Sequence, residues 1–269
     1  YAGVRPIRTF KGLPTPLSNP KAQDIDLVLV RENTEGLFYA RGRGDVRSVD
    51  GVETEVYDTM KITRHGTARI CEFAFKLAER RAATKGRAGR VTNVDKANVF
   101  SSMAFWRKVF EESAAGHTGV TVENAYVDAM ALNLVMKPWA YDVLVTENMF
   151  GDILSDLIAA LVGGMGMAPS GDIGDKHGLF QPAHGTAPDI AGQGKANPTA
   201  MMLSAAMMLD WLADRTGDTR LADGAALIER AVEHIFANGI VRPMEFGGPH
   251  GTADITRAVV GALQTTVAA

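Results

Sequence analysis

The run Tyr141-Asp142-Val143-Leu144-Val145-Thr146-Glu147-Asn148, continuing as Met149-Phe150-Gly151-Asp152-Ile153-Leu154-Ser155-Asp156, decides the fold. Residues 141–146 are strand-like, with Val143-Leu144-Val145-Thr146 apolar or β-branched, as a strand buried on both faces requires. Glu147-Asn148 turns the chain. From Gly151 to Val162 the apolar residues recur at helical spacing, and Gly163-Gly164 ends the helix. Upstream, Leu27-Val28-Leu29-Val30 is a second β-rich run that ends in the polar turn Arg31-Glu32-Asn33-Thr34-Glu35-Gly36. Residues 43–60 lack helical periodicity and read as a strand or arm. Thr63 caps a helix that carries Ile70, Phe73, Ala74 and Leu77 to about Arg81. Residues 90–94 form a strand, and about 101–113 a helix with Phe105, Val109 and Phe110 on its apolar stripe. Val120–Tyr126 is a strand, followed by a helix from about Asp128 to Met136 that Pro138 stops. Downstream, residues 163–197 are glycine-rich and aperiodic, a long loop of the kind that usually carries function. Asn197-Pro198 opens a helix whose buried face is set by Met201, Met202, Ala205, Met208, Leu209 and Leu212. A last helix covers about Leu221 to Ala237. Strands alternating with helices predict an α/β fold on a largely parallel sheet.

Composition bounds the function. The 269 residues carry 28 Lys plus Arg against 31 Asp plus Glu, a net charge of −3, and 46% are hydrophobic. No large positive field is present to collect phosphates, so nucleic acid is not an expected partner. The longest apolar run, Leu157 to Ala168, is interrupted by glycines and falls short of the roughly 18 residues of a membrane span, so no membrane partner is expected either. The single cysteine, Cys71, forms no internal disulfide, lies on an apolar helix face as core, and points to a reducing compartment, the cytoplasm.

Four constellations could carry chemistry. Asp152 and Asp156 stand four apart on a helix, so both carboxylates leave one face. Such like charges repel unless a cation intervenes, and oxygen ligands suit Mg²⁺ or Mn²⁺; the alternative is a residue favoured by the helix dipole and a solvated neighbour. Lys96, in Asp95-Lys96-Ala97-Asn98 at a strand end, is placed to relay a proton or is simply an exposed loop lysine. The segment His184-Gly185-Thr186-Ala187-Pro188-Asp189, followed by Gly192, Gly194 and Asn197, lets backbone approach a ligand closely, or serves as a connector. Gly-x-Gly-x-x-Gly does not follow any strand, which excludes a standard Rossmann fold. Arg5 and Arg31, near strand ends, are natural partners of a carboxylate, or surface charges. Tyr126-Val127-Asp128 also sets a carboxylate at a strand end. The remaining histidines show no ligand spacing, and the paired methionines 201–202 and 207–208 read as core filler.

Together the segments Leu-Val-Arg-Glu-Asn-Thr-Glu-Gly (29–36), Val-Asp-Lys-Ala-Asn-Val (94–99), Tyr-Val-Asp-Ala-Met-Ala (126–131), Asn-Met-Phe-Gly-Asp-Ile-Leu-Ser-Asp (148–156) and His-Gly-Thr-Ala-Pro-Asp-Ile-Ala-Gly-Gln-Gly-Lys-Ala-Asn-Pro-Thr (184–199) resemble the β-decarboxylating dehydrogenases: isocitrate, 3-isopropylmalate, homoisocitrate and tartrate dehydrogenases. The segments occur in the family's order over nearly the whole chain. The resemblance implies a two-domain fold of the isocitrate/isopropylmalate dehydrogenase kind around a parallel or mixed sheet. Residues 1–25 with about 150–269 would form the large cofactor domain, and about 26–149 the small substrate and dimerisation domain. It implies a homodimer with shared sites, Asp152 and Asp156 as metal ligands completed by Asp128 from the neighbouring subunit, and Lys96 as catalytic lysine, also given across the interface. Arg5 and Arg31 would clamp substrate carboxylates. His184, Gly185, Thr186, Ala187 and Asn197 would hold the cofactor, with Asp189 at the position that separates cofactors; a carboxylate there accepts from ribose hydroxyls and repels a 2′-phosphate, which favours NAD. The implied reaction is NAD- and Mg²⁺- or Mn²⁺-dependent oxidation and decarboxylation of a 2-hydroxy acid bearing a 3-carboxylate, of the isopropylmalate, isocitrate, homoisocitrate, tartrate or malate type.

Two departures qualify the resemblance. The family's proton-donating tyrosine lies seven residues past the Arg31-type arginine, where this chain has Phe38, with Tyr39 beside it. Either the loop is re-registered and Tyr39 serves, or the acid is absent. The family's opening strand, its Gly-Asp-Gly-Ile-Gly-Pro-like turn and a further substrate arginine do not precede Tyr1, so the chain is expected to be most of a dehydrogenase without its first portion. The competing expectation is a catalytically weak regulatory or structural subunit, or an inactive fragment, of the same family.

Overall fold

The computed structural model describes residues 1–267. The chain forms two compact units: Tyr1–Gly3, Leu29–Asn133 and Tyr141–Leu154 make up the first, and Val4–Val28, Leu134–Ala140 and the chain from Ser155 the second. Strands β1 (Ala2–Arg8) and β2 (Asp26–Glu32) contribute residues to both.

The first unit is built on the central βα run. Strand β5 (Gly89–Asp95) lies between β6 (Val120–Tyr126) and β7 (Val143–Thr146) and is parallel to both, with Val91 opposite Val122 and Val143; β2 follows β7 in the sheet. Val91, Val94, Val143, Leu144 and Val145 are fully buried, which accounts for the continuous apolar pattern of β7 and the valines of β5. Helix α1 (Arg64–Lys85) covers them through Ile70, Cys71, Ala74, Phe75 and Ala78. Burial pushes the Cys71 thiol pKa well up, so it behaves as an apolar core group. Thr63 caps α1, its Oγ1 accepting from Gly66 N–H at 3.1 Å, and Gly86 closes it with a left-handed φ of 61°. Helix α2 (Ser101–Ala114) buries Met103, Trp106, Val109 and Phe110, and Phe75 stacks on Phe110 with centroids 5.4 Å apart. Phe105 is only half-buried, so the stripe is rotated toward Trp106. Helix α3 spans Val127–Met136. Residues 43–60 form an antiparallel hairpin, β3 (Asp45–Val49) and β4 (Val52–Tyr57), exposed along its whole length. Helix α4 (Asn148–Leu161) begins three residues before the expected Gly151, because the Glu147 carboxylate accepts the N–H groups of Met149 and Phe150 and caps the helix from within the supposed turn.

In the second unit three expectations are corrected. The supposed loop 163–197 contains an antiparallel pair, β8 (Pro169–Ile173) and β9 (Gly178–Pro182), with β8 beside β1. Its glycines hid the strands: ideal Cβ atoms at Gly171 and Gly178 would lie 3.0 and 2.7 Å from the Phe180 ring, so their absence gives the aromatic its place. Helix α5 (Thr199–Thr216) buries Ala200, Leu203, Ser204 and Ala206, whereas Met201 and Met208 are exposed. The small face is selected because it docks on the hairpin, where Ser204 Oγ accepts from Ser170 N–H at 3.1 Å and Trp211 meets Phe180. After α6 (Thr219–Ala237) comes a helix not anticipated, α7 (Thr252–Val267). Asp254 reaches back to Gly251 N–H at 3.1 Å, a capping pattern legible in Gly-Thr-Ala-Asp. Among the described residues no helix is long and apolar enough to cross a membrane.

One cross-link between elements of the first unit depends on pH. His117, after α2, bonds Glu79 at 2.7 Å through Nδ1 and Glu72 at 2.9 Å through Nε2, both on α1, and stacks on Phe75. Burial opposes the charged ring, but the two carboxylates outweigh it and raise the imidazole pKa. A raised histidine pKa stabilises the fold fully below the unfolded value and loses that contribution as pH rises through the folded value. The stability advantage of wild type over His117→Gln, read from urea midpoints, should therefore shrink between about pH 6 and pH 9. An advantage that is constant or grows over that range would rule out the charged contact.

Candidate functional site

Arg31 is the penultimate residue of β2 rather than part of the turn that follows. Its Nε and Nη2 donate to Asn148 Oδ1 at 2.9 and 2.8 Å, and its Nη1 donates to Asp152 Oδ1 at 2.5 Å. The planar fork is thus aimed along the first turns of α4, with a carboxylate already on one prong. The Phe38 ring lies 5.6 Å from the guanidinium, within cation–π range. Tyr39, in the same 3-10 turn (Leu37–Ala40), instead places its ring against Arg43 and Lys61, at 4.8 and 4.7 Å. Asp156 follows Asp152 by one turn of α4, and both are exposed. The donors are hard oxygens, the right class for Mg²⁺ or Mn²⁺. Among the described residues, however, no three His, Cys, Asp or Glu side chains gather as a metal-binding group.

Support for this centre comes from Glu147, which spacing marks only as a turn residue. Its side chain is fully buried and accepts N–H groups from Met149, Phe150 and Leu37. Burial raises its pKa, against those hydrogen bonds and the charge of Arg31. Gly36 passes so close that a Cβ there would sit 2.2 Å from Glu147 Oε2, at a φ of 78°.

Lys96 and Asp128 are brought together as well: Nζ donates to Oδ1 at 2.5 Å, and this holds the Asp128 carboxyl below its usual pKa. Lys96 is set by its neighbour Asp95, which is completely buried. The Asp95 carboxylate accepts two bonds from Arg107, at 2.8 and 2.7 Å, one from Asn93 at 2.6 Å and one from Ala97 N–H at 2.9 Å. Asn93 in turn accepts from Trp106 Nε1 at 2.6 Å. Arg107 and Lys96 both approach the Tyr126 ring.

In the second unit Arg5 lies in the middle of β1, not at a strand end. Its Nη1 and Nη2 donate to Asp172 Oδ1 at 3.3 and 3.2 Å. His184, Gly185, Ala187 and Asn197 line one cavity of about 510 Å³, together with Lys195 and Glu245. That size lies within the range of small-molecule pockets. Thr186 and Asp189 do not line it. Ala187 takes a left-handed φ of 43°, rare for a side-chain-bearing residue and typical of strained binding loops.

The chain is therefore an α/β protein with a mixed sheet, carrying cation–carboxylate centres in one unit and a cavity of about 510 Å³ in the other. It belongs to the isocitrate/isopropylmalate dehydrogenase family, whose model matches residues 1–259. It is 42% identical over 265 residues to the 3-isopropylmalate/3-methylmalate dehydrogenase of Methanocaldococcus jannaschii, covering 96% of this chain and 72% of that protein. It is 42% identical over 269 residues to the isocitrate/homoisocitrate dehydrogenase of Thermus thermophilus, covering 98% and 72%. The solved isocitrate dehydrogenase of Methylococcus capsulatus superposes with a TM-score of 0.86 at 38% identity, over 98% of this chain and 73% of that one. Members of the family are NAD(P)-dependent oxidoreductases that use a divalent metal and act on small hydroxy acids.

Gly36→Ala should cost about 2–4 kcal/mol, from left-handed strain together with displacement of the Glu147 carboxylate. Urea unfolding measures it; a loss within about 0.5 kcal/mol would mean that the Gly36–Glu147 contact is not a constraint.

Proposed function

We propose that this chain catalyses NAD-dependent, Mg²⁺- or Mn²⁺-dependent oxidation and decarboxylation of a 2-hydroxy acid bearing a 3-carboxylate, as a homodimer in the cytoplasm. The observation that carries the reading is the Arg31–Asn148–Asp152 cluster. An oriented guanidinium stands beside an exposed acid pair on α4, which is what recognition of a carboxylate next to a cation site requires. Asp152 and Asp156 would hold the metal, with Asp128 contributed from a second copy of the chain. When bound, the divalent cation stabilises negative charge developing on substrate oxygens, and NAD accepts the hydride. The His184–Asn197 segment would seat the adenosine half, with Asp189 selecting NAD over its 2′-phosphorylated form.

The chain's own groups then have separable tasks. Arg31 would fix a substrate carboxylate, and Arg5 would serve as a second carboxylate clamp on exchanging Asp172 for substrate. Lys96 Nζ, given across the interface together with the Asp128 it pairs with, takes up the hydroxyl proton once it has lost its own proton to water. Tyr39 Oη delivers a proton to carbon after CO₂ leaves. The Asp95–Arg107 pair keeps the Lys96 backbone in place. The second reading, a catalytically weak subunit, is favoured by Phe38, because an apolar ring covers Arg31 where a phenol would donate.

NADH formation with Mn²⁺, measured on D-malate, tartrate, isocitrate, homoisocitrate and 3-isopropylmalate with the full natural protein, separates the two. Turnover on one acid, reduced ~10²–10⁴-fold in Lys96→Met, is the expected result. NAD binding without turnover on any of them would establish the non-catalytic subunit. Tyr39→Phe should slow enol protonation, and with it turnover, by ~10²–10⁴-fold while hydride transfer and CO₂ loss persist. Unchanged kinetics, with a gain in Phe38→Tyr, would mean that this chain lacks the acid.

A further inference from the structure

We propose that Glu245 is the positioning residue of the nucleotide cavity, binding three separate stretches of its wall into one preset surface; the proposal rests on the cofactor reading of that cavity. Glu245 sits in a 3-10 turn, Met244–Phe246, far in sequence from the glycine-rich segment, and has no part in the motifs. Its Oε1 accepts from Asn197 Nδ2 at 2.7 Å, and its carboxylate also accepts the Gly166 N–H. Gly166 belongs to the turn Met165–Met167 and Asn197 to the start of α5, so one carboxylate joins three segments that line the same cavity.

Two further facts show that this junction is tightly built. A Cβ on Gly166 would lie 2.7 Å from Glu245 Oε2 and 2.8 Å from Asn197 Cβ, so only glycine allows the approach. The adjacent Phe246 ring fills the space at Gly163, where a Cβ would fall 2.0 Å from Cε1. The Asn197 amide is fully committed. Its Oδ1 accepts from Thr199 N–H at 3.1 Å and bonds Thr199 Oγ1 at 2.7 Å, while its Nδ2 faces Glu245 and, at 3.2 Å, Met167 Sδ. Asn197 therefore shapes the wall with its side chain, and Glu245 decides which way that amide faces. A wall ordered before the ligand arrives spares the ordering cost at binding. Burial raises the Glu245 pKa, opposed by the Asn197 and Gly166 bonds and by His184, as befits a carboxylate retained for its hydrogen bonds.

The test uses the whole protein, with NAD and AMP titrated by calorimetry well below each variant's unfolding temperature. Glu245→Gln and Asn197→Asp should each weaken binding by about ten- to a hundredfold, since the first turns an amide toward a donor and the second opposes two carboxylates. The exchanged pair Asn197→Asp with Glu245→Gln restores both contacts, Gln Nε2 donating to the new carboxylate and Gln Oε1 accepting from Gly166. Its affinity should return to within about threefold of wild type, a rescue that loss of fold alone would not give. Wild-type binding with unaffected single variants, or a double variant as weak as the worse single one, overturns the role of Glu245. Wild type that binds neither NAD nor AMP overturns the cofactor reading itself, and this inference with it.

Discussion

The arrangement of the first unit hangs on one buried carboxylate. Glu147 ends the central strand β7 in a place without solvent, where a bare charge would cost several kcal/mol. Two of its N–H partners are the first free amides of α4, where the helix dipole also favours negative charge; the third is Leu37, from the segment after β2. The group therefore does more than cap a helix. It ties the Gly36–Leu37 peptide to the start of α4, and Asn148 adds a bond from Nδ2 to Glu35 O at 3.2 Å. Arg31 and Asp152 face each other because the strand end and the helix start are held at that junction. Its raised pKa is the trace of the desolvation that the hydrogen bonds only partly offset.

Apolar patterning reveals the elements whose residues are buried on every side. Val143–Thr146 is a continuous apolar or β-branched run, Val91, Thr92 and Val94 mark the strand beside it, and the core α/β order follows from them. The pattern fails where the decisive partner is remote. Pro169–Ile173 and Gly178–Pro182 carry glycines that make sense only once Phe180 and Trp211 occupy the space they leave. The exposed Met201 and Met208 show the same limit in α5: composition marks a residue as apolar, but the docking of Ser204 on Ser170 chooses the face. The start of α4 lies earlier than periodicity suggests because its cap is a glutamate, outside the usual Ser, Thr, Asp or Asn signal.

Site residues divide in the same way. Lys96, Asp128, Arg31 and Asp152 stand at strand ends or on a helix turn, where spacing marks them, and the fold pairs Lys96 with Asp128 and Arg31 with Asp152. Glu147, Asp95 with Arg107, and Glu245 carry no spacing signal, since each acts through a partner distant in sequence. The available hint is chemical: a charged residue closing an apolar strand, as Asp95 and Glu147 do, must be satisfied or relocated.

That hint separates carboxylates that build the site from those available to act in it. Glu32 is buried and spends itself on the N–H groups of Thr34 and Glu35, at 2.8 and 2.5 Å. Glu35 accepts Thr63 N–H at 2.7 Å at the start of α1. Asp95 and Glu147 likewise take backbone N–H groups. For the buried three, Glu32, Asp95 and Glu147, binding a metal or a proton would cost hydrogen bonds that nothing in the dry interior replaces. Asp128 and Asp152 are the reverse case: both side chains are more than half exposed, at 67% and 53%, and each meets a side-chain cation. Such a half-exposed carboxylate can change its cationic partner at smaller cost than a buried one, because its charge stays partly in water. The motif Arg-Glu-Asn-Thr-Glu-Gly thus mixes one residue of the proposed site, Arg31, with two carboxylates, Glu32 and Glu35, that hold backbone N–H groups. Burial and the identity of the donor, not the presence of a carboxylate, assign the roles.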